Sequence, residues 1–405
     1  MPVCGWLLAA GDYLCEMKVR GTVLLVALYV LLAVASATQA LLLKVERDPG
    51  DPPATKYNNY LIFKSSHHHL SDGKPLYEPY PWEHADLYKY SPTFALLFGF
   101  FAIFPDWLGL PLWNLLNVAA FVAAVLSLPW KENRSRNLLL LLAAIEAMTS
   151  LQNSQSNLLV AGLLVMGFAL LEKGRPAWAT LCIAATFYIK IFGVLAFILL
   201  LFFPGKRKAA LWALAWMVLL LLLPLPFTGI GPLAGMYLDY LNLLRSDHSA
   251  SLGFSVMGWL QTWFGAEPDK SLVTLAGLAA LCLPLLRPAL FREYEGRALF
   301  FSALLVWMVI FNHKAESPTF ILAVAGVLLW YFTTPRTVLT TTLLALTVIF
   351  TILSPTDLFP LSWRANLFEP YVVKAVPCIL AWMAMVAMMY RRWWISGQKI
   401  TGRDG

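Results

Sequence analysis

The sequence predicts an all-α, polytopic membrane protein, and three observations lead there. Of 405 residues, 59% are hydrophobic and only 13% charged, more apolar surface than a soluble domain of this length can bury. Apolar runs recur from Val23 to Tyr390 with short polar loops between them. Basic residues are also sorted: eighteen of the thirty Lys and Arg fall in loops that one topology gathers on a single side of a membrane.

The elements follow in order. Residues 21–43 form a first transmembrane helix preceded by Lys18 and Arg20, with no convincing small-residue cleavage site after it. It reads as an uncleaved anchor with a cytoplasmic N-terminus. Residues 44–91 make a long outer loop whose tyrosines and Trp82 suit the headgroup zone, which predicts short helices on the membrane surface. The stretch 92–104, between Pro92 and Pro105, decides the parity of everything after it. Read as re-entrant, or as the first half of one passage ending near Trp130, it leaves all the basic loops cytoplasmic. Later apolar runs span 110–129, 138–150, 157–171, 177–203 (broken near Lys190), 209–226, 271–286, 298–311, 318–332, 337–353 and 372–390. Several are short for a straight crossing and must borrow polar flanks or be broken helices. The expectation is one integral membrane domain over 1–405. It has about twelve crossings, a bundle over 92–390, a cytoplasmic tail at 391–405 and both termini inside.

Cys4 and Cys15 lie in the leader, and Cys182, Cys282 and Cys378 lie in apolar runs, so no outer disulfide framework and no metal site is expected. The net charge of +7 comes from the inner loops. It implies an anionic inner leaflet rather than nucleic acid as the electrostatic partner.

Polar chemistry concentrates in five outer segments: 44–91, 150–157, 227–270, 312–318 and 354–371. Ionisable groups at membrane depth are costly enough to suggest function. Lys190, in Tyr-Ile-Lys-Ile-Phe-Gly, interrupts an apolar run at its outer end. It could face an anionic headgroup, or snorkel to the interface with no ligand. Glu146 lies below the Gln/Asn cluster and could be functional or pair within the bundle. Glu83-His84-Ala85-Asp86 has the residue types for proton transfer, since desolvation can raise a carboxylate into the range of a general base; a solvated loop would carry the same residues. His67-His68-His69 reads as a surface run, because adjacent side chains cannot all reach one ion. His313-Lys314 and Glu316 cap two short helices, as a site or as a structural salt bridge. Gln152, Asn153, Gln155 and Asn157 offer donors and acceptors for sugar hydroxyls, or for backbone groups where a helix breaks. No phosphate-binding glycine loop, nucleophile elbow, zinc motif or nucleotide fingerprint is present.

The outer loop ends in Asp86-Leu-Tyr-Lys-Tyr-Ser-Pro-Thr-Phe-Ala-Leu-Leu. It is followed by Leu112-Trp-Asn-Leu-Leu-Asn, Gln152-Asn-Ser-Gln-Ser-Asn and Phe187-Tyr-Ile-Lys190. In that order these motifs resemble glycosyltransferase family 87, the polyprenyl-phosphate-dependent, mannosyltransferase-like group of the GT-C superfamily, over roughly 55–390. The 251–264 and 311–320 segments resemble a Bacteroidetes subgroup. The resemblance implies a GT-C-like architecture in a bacterial inner membrane. It also implies inverting transfer of a mannose-like hexose from a polyprenyl-phosphate donor to a glycan or glycolipid acceptor at the outer face, with no cofactor and no metal. An acidic residue of the first outer loop acts as base in that family. The usual position is occupied here by Tyr57-Asn58-Asn59-Tyr60 without a carboxylate, which moves the role to Asp86, or to Glu83. On this reading Lys190 takes the donor phosphate, with Lys314, His313 and Arg245 or Arg364 adding positive charge. Tyr57, Asn58, Asn59, Gln152, Asn153, Gln155, Asn157, His248 and Glu316 hold sugar or acceptor. The rival expectations are a lipid or solute transporter, disfavoured because no internal repeat is found, and a catalytically inactive envelope scaffold.

Overall fold

In the computed structural model the described residues are 3–46, 48, 50–52, 54–246, 251–267 and 269–401, with side chains described from 21 to 394. Among them all regular structure is helical, and the one β contact is an isolated antiparallel bridge between Lys44 and Thr55. The order is α1 (Val3–Leu42), α2 (Asn58–Asp72), α3 (Pro92–Leu97), α4 (Gly99–Ala102), α5 (Asp106–Ser127), α6 (Asn133–Gln152), α7 (Asn157–Glu172), α8 (Pro176–Ile189), a 3-10 segment (Ile191–Phe202), α9 (Lys206–Leu222), α10 (Leu225–Thr228), α11 (Ile230–Ser246), α12 (Val256–Phe264), α13 (Lys270–Cys282), α14 (Tyr294–Ile310), α15 (Phe320–Thr333), α16 (Val338–Leu346), α17 (Leu361–Trp363) and α18 (Val376–Thr401).

Four helical stretches are long and apolar enough to cross a membrane: Gly21–Leu42, Asp106–Ser127, Lys206–Thr228 and Val373–Trp394. Several other apolar helices are shorter, among them α7, α8 and α16 with its continuation to Leu353. The expected count of about twelve crossings therefore exceeds the helices that length alone would admit. The 92–104 stretch resolves into α3 and α4, of six and four residues, which pack against α2. At about 1.5 Å per residue neither can cross a hydrocarbon core.

The centre of the bundle is made by α5, α7, α14 and α15. Helices α14 and α15 lie alongside each other and are buried almost throughout. Small residues set the spacing: a Cβ on Gly162 would meet the Phe121 backbone at 2.6 Å, and one on Gly326 the Ser302 carbonyl at 2.7 Å. Close backbone approach of this kind is how helices gain packing energy where lipid removes the hydrophobic drive.

Residues 112–117 have a mechanical role. Helix α6 ends and α7 begins around a tight reversal at 153–156, with Ser154 in the left-handed region (φ 53°). Helix ends leave backbone groups unsatisfied, and α5 supplies their partners. Trp113 Nε1 donates to the Ser154 carbonyl (3.0 Å), Asn114 Nδ2 to the Leu151 carbonyl (3.4 Å), and Leu159 N–H donates to Asn117 Oδ1 (2.9 Å). All three side chains are buried. Asn117→Leu is expected to lower stability by about 1–3 kcal/mol by orphaning the Leu159 N–H, measurable as a drop in thermal unfolding midpoint in detergent.

Candidate active site

Four segments form the surroundings of the helix break at Lys190. The first is the end of the long loop. Ser91 caps α3, accepting from the Phe94 N–H (3.2 Å), and its hydroxyl donates to the Tyr188 carbonyl (2.5 Å), two residues before Lys190. Thr93 Oγ1 donates to the Leu220 carbonyl on α9 (2.7 Å). Pro92 at the first helical position has no N–H to leave unpaired. These bonds hold the 86–91 stretch over the end of α8.

The second is the break at Lys190. Helix α8 ends with Lys190 in an extended conformation (φ −139°, ψ 118°), and the 3-10 segment that follows packs back along α8. Gly193 makes this possible, since a Cβ there would meet Thr186 Cγ2 at 2.6 Å and the Phe187 nitrogen at 2.9 Å. Twelve residues of 3-10 helix are far more than the usual three or four. Lys190 therefore sits, half-buried, at the tip of a reversal between two apolar arms. Its ammonium lies 6.0 Å from the centre of the Tyr90 ring. Among the described residues it has no hydrogen-bond partner and no ion pair within 4 Å.

The third and fourth are the 150–157 turn and the 312–318 turn, joined by Gln155 Nε2 donating to Glu316 Oε2 (3.0 Å). Asn157 Nδ2 donates to Gln155 Oε1. Hydrogen bonds thus tie Asn157, Gln155 and Glu316 into one chain, while the Lys190 ammonium stands against the ring of Tyr90.

The remaining expected site residues are placed differently. Glu83 is bonded to His69 Nε2 (2.9 Å), and His69 is buried. The histidine run is therefore no surface run: α2 turns His69 inward and half-buries His67, whose Nδ1 lies 3.2 Å from the Ala95 carbonyl. Asn58 Oδ1 accepts from the Ala85 N–H (2.8 Å), Asn59 Nδ2 donates to the Asn153 carbonyl (2.9 Å), and Asn153 Nδ2 to the Thr149 carbonyl (2.8 Å). Gln152 Nε2 bonds Gln39 Oε1 (2.8 Å). Tyr57 Oη is 3.4 Å from Asp106, which also pairs with Lys64 at 2.6 Å. Asn59 thus ties the long loop to the 150–157 turn, Asn58 ties the loop to itself, and Gln152 joins α6 to α1. Arg364 pairs with Asp357 (2.8 Å), and Arg245 is exposed at the end of α11. His248 lies outside the described residues. His313 and Lys314 lie half-buried in the turn that carries Glu316.

Asp86 is exposed, with one oxygen accepting its neighbour Leu87 N–H (2.7 Å) and Lys89 3.3 Å away. It is the one acid of the 83–86 stretch whose carboxylate is not tied to another element of the fold. Sequence reasoning missed Lys374. It lies 3% exposed, and its ammonium is 2.8 Å from Glu146 Oε1 and 3.1 Å from Oε2. It lies unmarked at the start of the 372–390 apolar run, and Glu146 is 228 positions away.

Burial pushes His67, His69 and His84 below the ordinary histidine value of about 6.5. The Ala95 carbonyl, the Glu83 carboxylate and the Asp86 carbonyl respectively oppose that only in part. The folded loop thus favours neutral rings, whereas the unfolded chain takes up protons below about pH 6.5. The contribution to stability is complete above that pH and is lost as pH falls through it. The unfolding midpoint is expected to fall between pH 7.5 and 5.5, and to fall less in a His69→Gln, His84→Gln double variant.

The sequence matches the family described as GT87, Glycosyltransferase family 87, over residues 88–355, about two-thirds of the chain. The chain belongs to glycosyltransferase family 87. It is therefore a membrane glycosyltransferase by family, built from apolar helices. No curated protein matches it. The match is narrower than the motifs suggested: it takes in Lys190, the 152–157 turn and the 313–316 turn, and it begins two residues after Asp86. Arg364 and Lys374 lie beyond its end.

Proposed function

We propose that this family 87 protein transfers a mannose-like hexose from a polyprenyl-phosphate donor to a glycan or glycolipid acceptor, with inversion, at the outer face of a bacterial inner membrane. The observation that carries the reading is Lys190. A lysine ammonium held half-buried between apolar arms, with no oxygen of the described residues bonded to it, is suited to an anionic group arriving from the lipid. The phosphate of a lipid-linked donor is such a group, and its prenyl tail can lie against the exposed apolar residues that flank the site. Basic-loop asymmetry supports a topology with both termini cytoplasmic and about twelve passages, some made by broken helices.

In the proposed step the Asp86 carboxylate removes the proton of the acceptor hydroxyl as that oxygen attacks the anomeric carbon. The bond from that carbon to the phosphate oxygen breaks, and the electron pair leaves with the polyprenyl phosphate. Lys190 stabilises the charge growing on this leaving group, with His313 and Lys314 adding positive potential from the adjacent turn. The Gln155 and Asn157 amides offer donors and acceptors to the sugar hydroxyls, and the Glu316 carboxylate accepts from them. The reaction needs no nucleotide and no metal.

Asp86→Asn is expected to lower kcat by about a hundredfold or more, in line with the 10²–10⁴-fold typical of general-base catalysis. The check is transfer by the purified protein in lipid, with a panel of polyprenyl-phosphate sugars and radiolabelled product. Full activity in a well-folded Asp86→Asn protein would move the base elsewhere, with Glu316→Gln as the next variant to assay.

A further inference from the structure

One buried charge pair takes no part in the proposed step, and its lysine lies beyond the end of the family match. Lys374 and Glu146 are both buried, at 3% and 0% exposure. The Lys374 ammonium reaches both Glu146 oxygens (2.8 and 3.1 Å), donates to Ser317 Oγ (2.8 Å) and lies 5.3 Å from the centre of the Phe320 ring. Its three protons thus have three oxygens, the condition under which a buried charge is tolerable.

Its placement is forced by the backbone. Val372, a β-branched residue, adopts φ 48° and ψ 34°, a conformation such side chains rarely take, immediately before the short turn 373–375 that swings Lys374 into the bundle. Thr351 Oγ1 holds the Lys374 carbonyl (2.8 Å) from a π-helical turn, Thr347–Leu353. Ser317 directly follows Glu316. Above it, Gly253 (φ 55°) sits against the same turn, where a Cβ would meet the His313 carbonyl at 2.7 Å, and Phe254 N–H donates to the Ala315 carbonyl (3.0 Å). The turn is therefore clamped from above by 253–254 and from below by Lys374.

The Glu316 side chain and its neighbour Ser317 both lead to one helix. The former meets Gln155, in the turn at the end of α6. Ser317 meets Lys374, which is anchored on Glu146 in α6. We infer that Lys374, locked by Glu146, is a positioning residue that sets the Glu316 turn against Gln155 through Ser317. This rests on the glycosyl-transfer reading above. It assigns to the end of the chain, outside the family match, a part in the geometry of the site.

The test compares wild type, Ser317→Ala and the double variant Glu146→Leu, Lys374→Met, which removes both charges together and orphans neither. Each is measured for thermal midpoint, kcat, donor KM and hydrogen exchange of the 311–318 turn. The expected result is an unchanged midpoint, donor KM within about twofold and kcat lowered about tenfold or more in both variants, with faster exchange confined to the turn. Wild-type kcat in the double variant would overturn the inference. So would a loss of kcat that only follows a loss of midpoint. If wild type itself transfers from no donor, the function proposed above fails, and exchange alone decides the positioning. Selective loosening of 311–318 upholds it, and unchanged exchange rejects it.

Discussion

Replacing Lys190 by alanine is expected to lower kcat/KM for the lipid-linked donor by about a hundredfold to a thousandfold, leaving the fold intact. The magnitude is that of removing one preorganised charge or donor from a developing anion, about 3–4 kcal/mol. Two features make the effect on catalysis large and that on stability small. The ammonium has no protein hydrogen-bond partner among the described residues, so its loss orphans nothing. The arms on either side are held by other contacts, Gly193 against Thr186 and Phe187, and Tyr188 Oη donating to the Met217 carbonyl at 2.6 Å. Lys190→Arg keeps the charge, but brings a rigid planar fork where a compact ammonium faces the Tyr90 ring, and partial activity is expected. The check is a kcat/KM series beside circular dichroism and thermal unfolding of each variant.

Lys374→Ala alone is expected to have the opposite profile, a loss of about 3–5 kcal/mol of stability. It leaves the fully buried Glu146 carboxylate without its cation. Its yield and thermal midpoint in detergent should fall well below those of the Glu146→Leu, Lys374→Met double variant, although the double variant has lost more polar groups. A midpoint for Lys374→Ala equal to wild type would mean that water or another group reaches Glu146, and that the pair is not sealed within the bundle.

What could be read in advance followed the range over which each signal acts. Lys190 was legible because a lysine inside an apolar run is costly wherever the chain folds, and its surroundings on both sides are local. Gln155 and Asn157 stood out for the same reason, as a polar run between two apolar ones. Glu146 was visible as an intramembrane acid, but Lys374 was not, since nothing in sequence connects residues 228 positions apart. The meaning of 112–117 was hidden in the same way. The 112–117 motif carried the family resemblance, but its use, completing the hydrogen bonds at the ends of α6 and α7, appears only in the fold. The histidine run misled because burial is decided by tertiary packing: Glu83 lies fourteen residues on, and only the fold of the loop brings it to His69. Segment lengths limited the count of crossings. Several apolar runs are shorter than a straight span, so passages and surface helices look alike in composition.

The measurement that tests the account most directly is transfer from a defined hexosyl-phosphoryl-polyprenol by wild-type and Lys190→Ala protein in the same lipid, with the anomeric configuration of the product determined by NMR. Wild type is expected to give a product of inverted configuration without nucleotide sugar, and the variant to lose at least a hundredfold in kcat/KM. Retained configuration, or equal turnover by the two proteins, would contradict it.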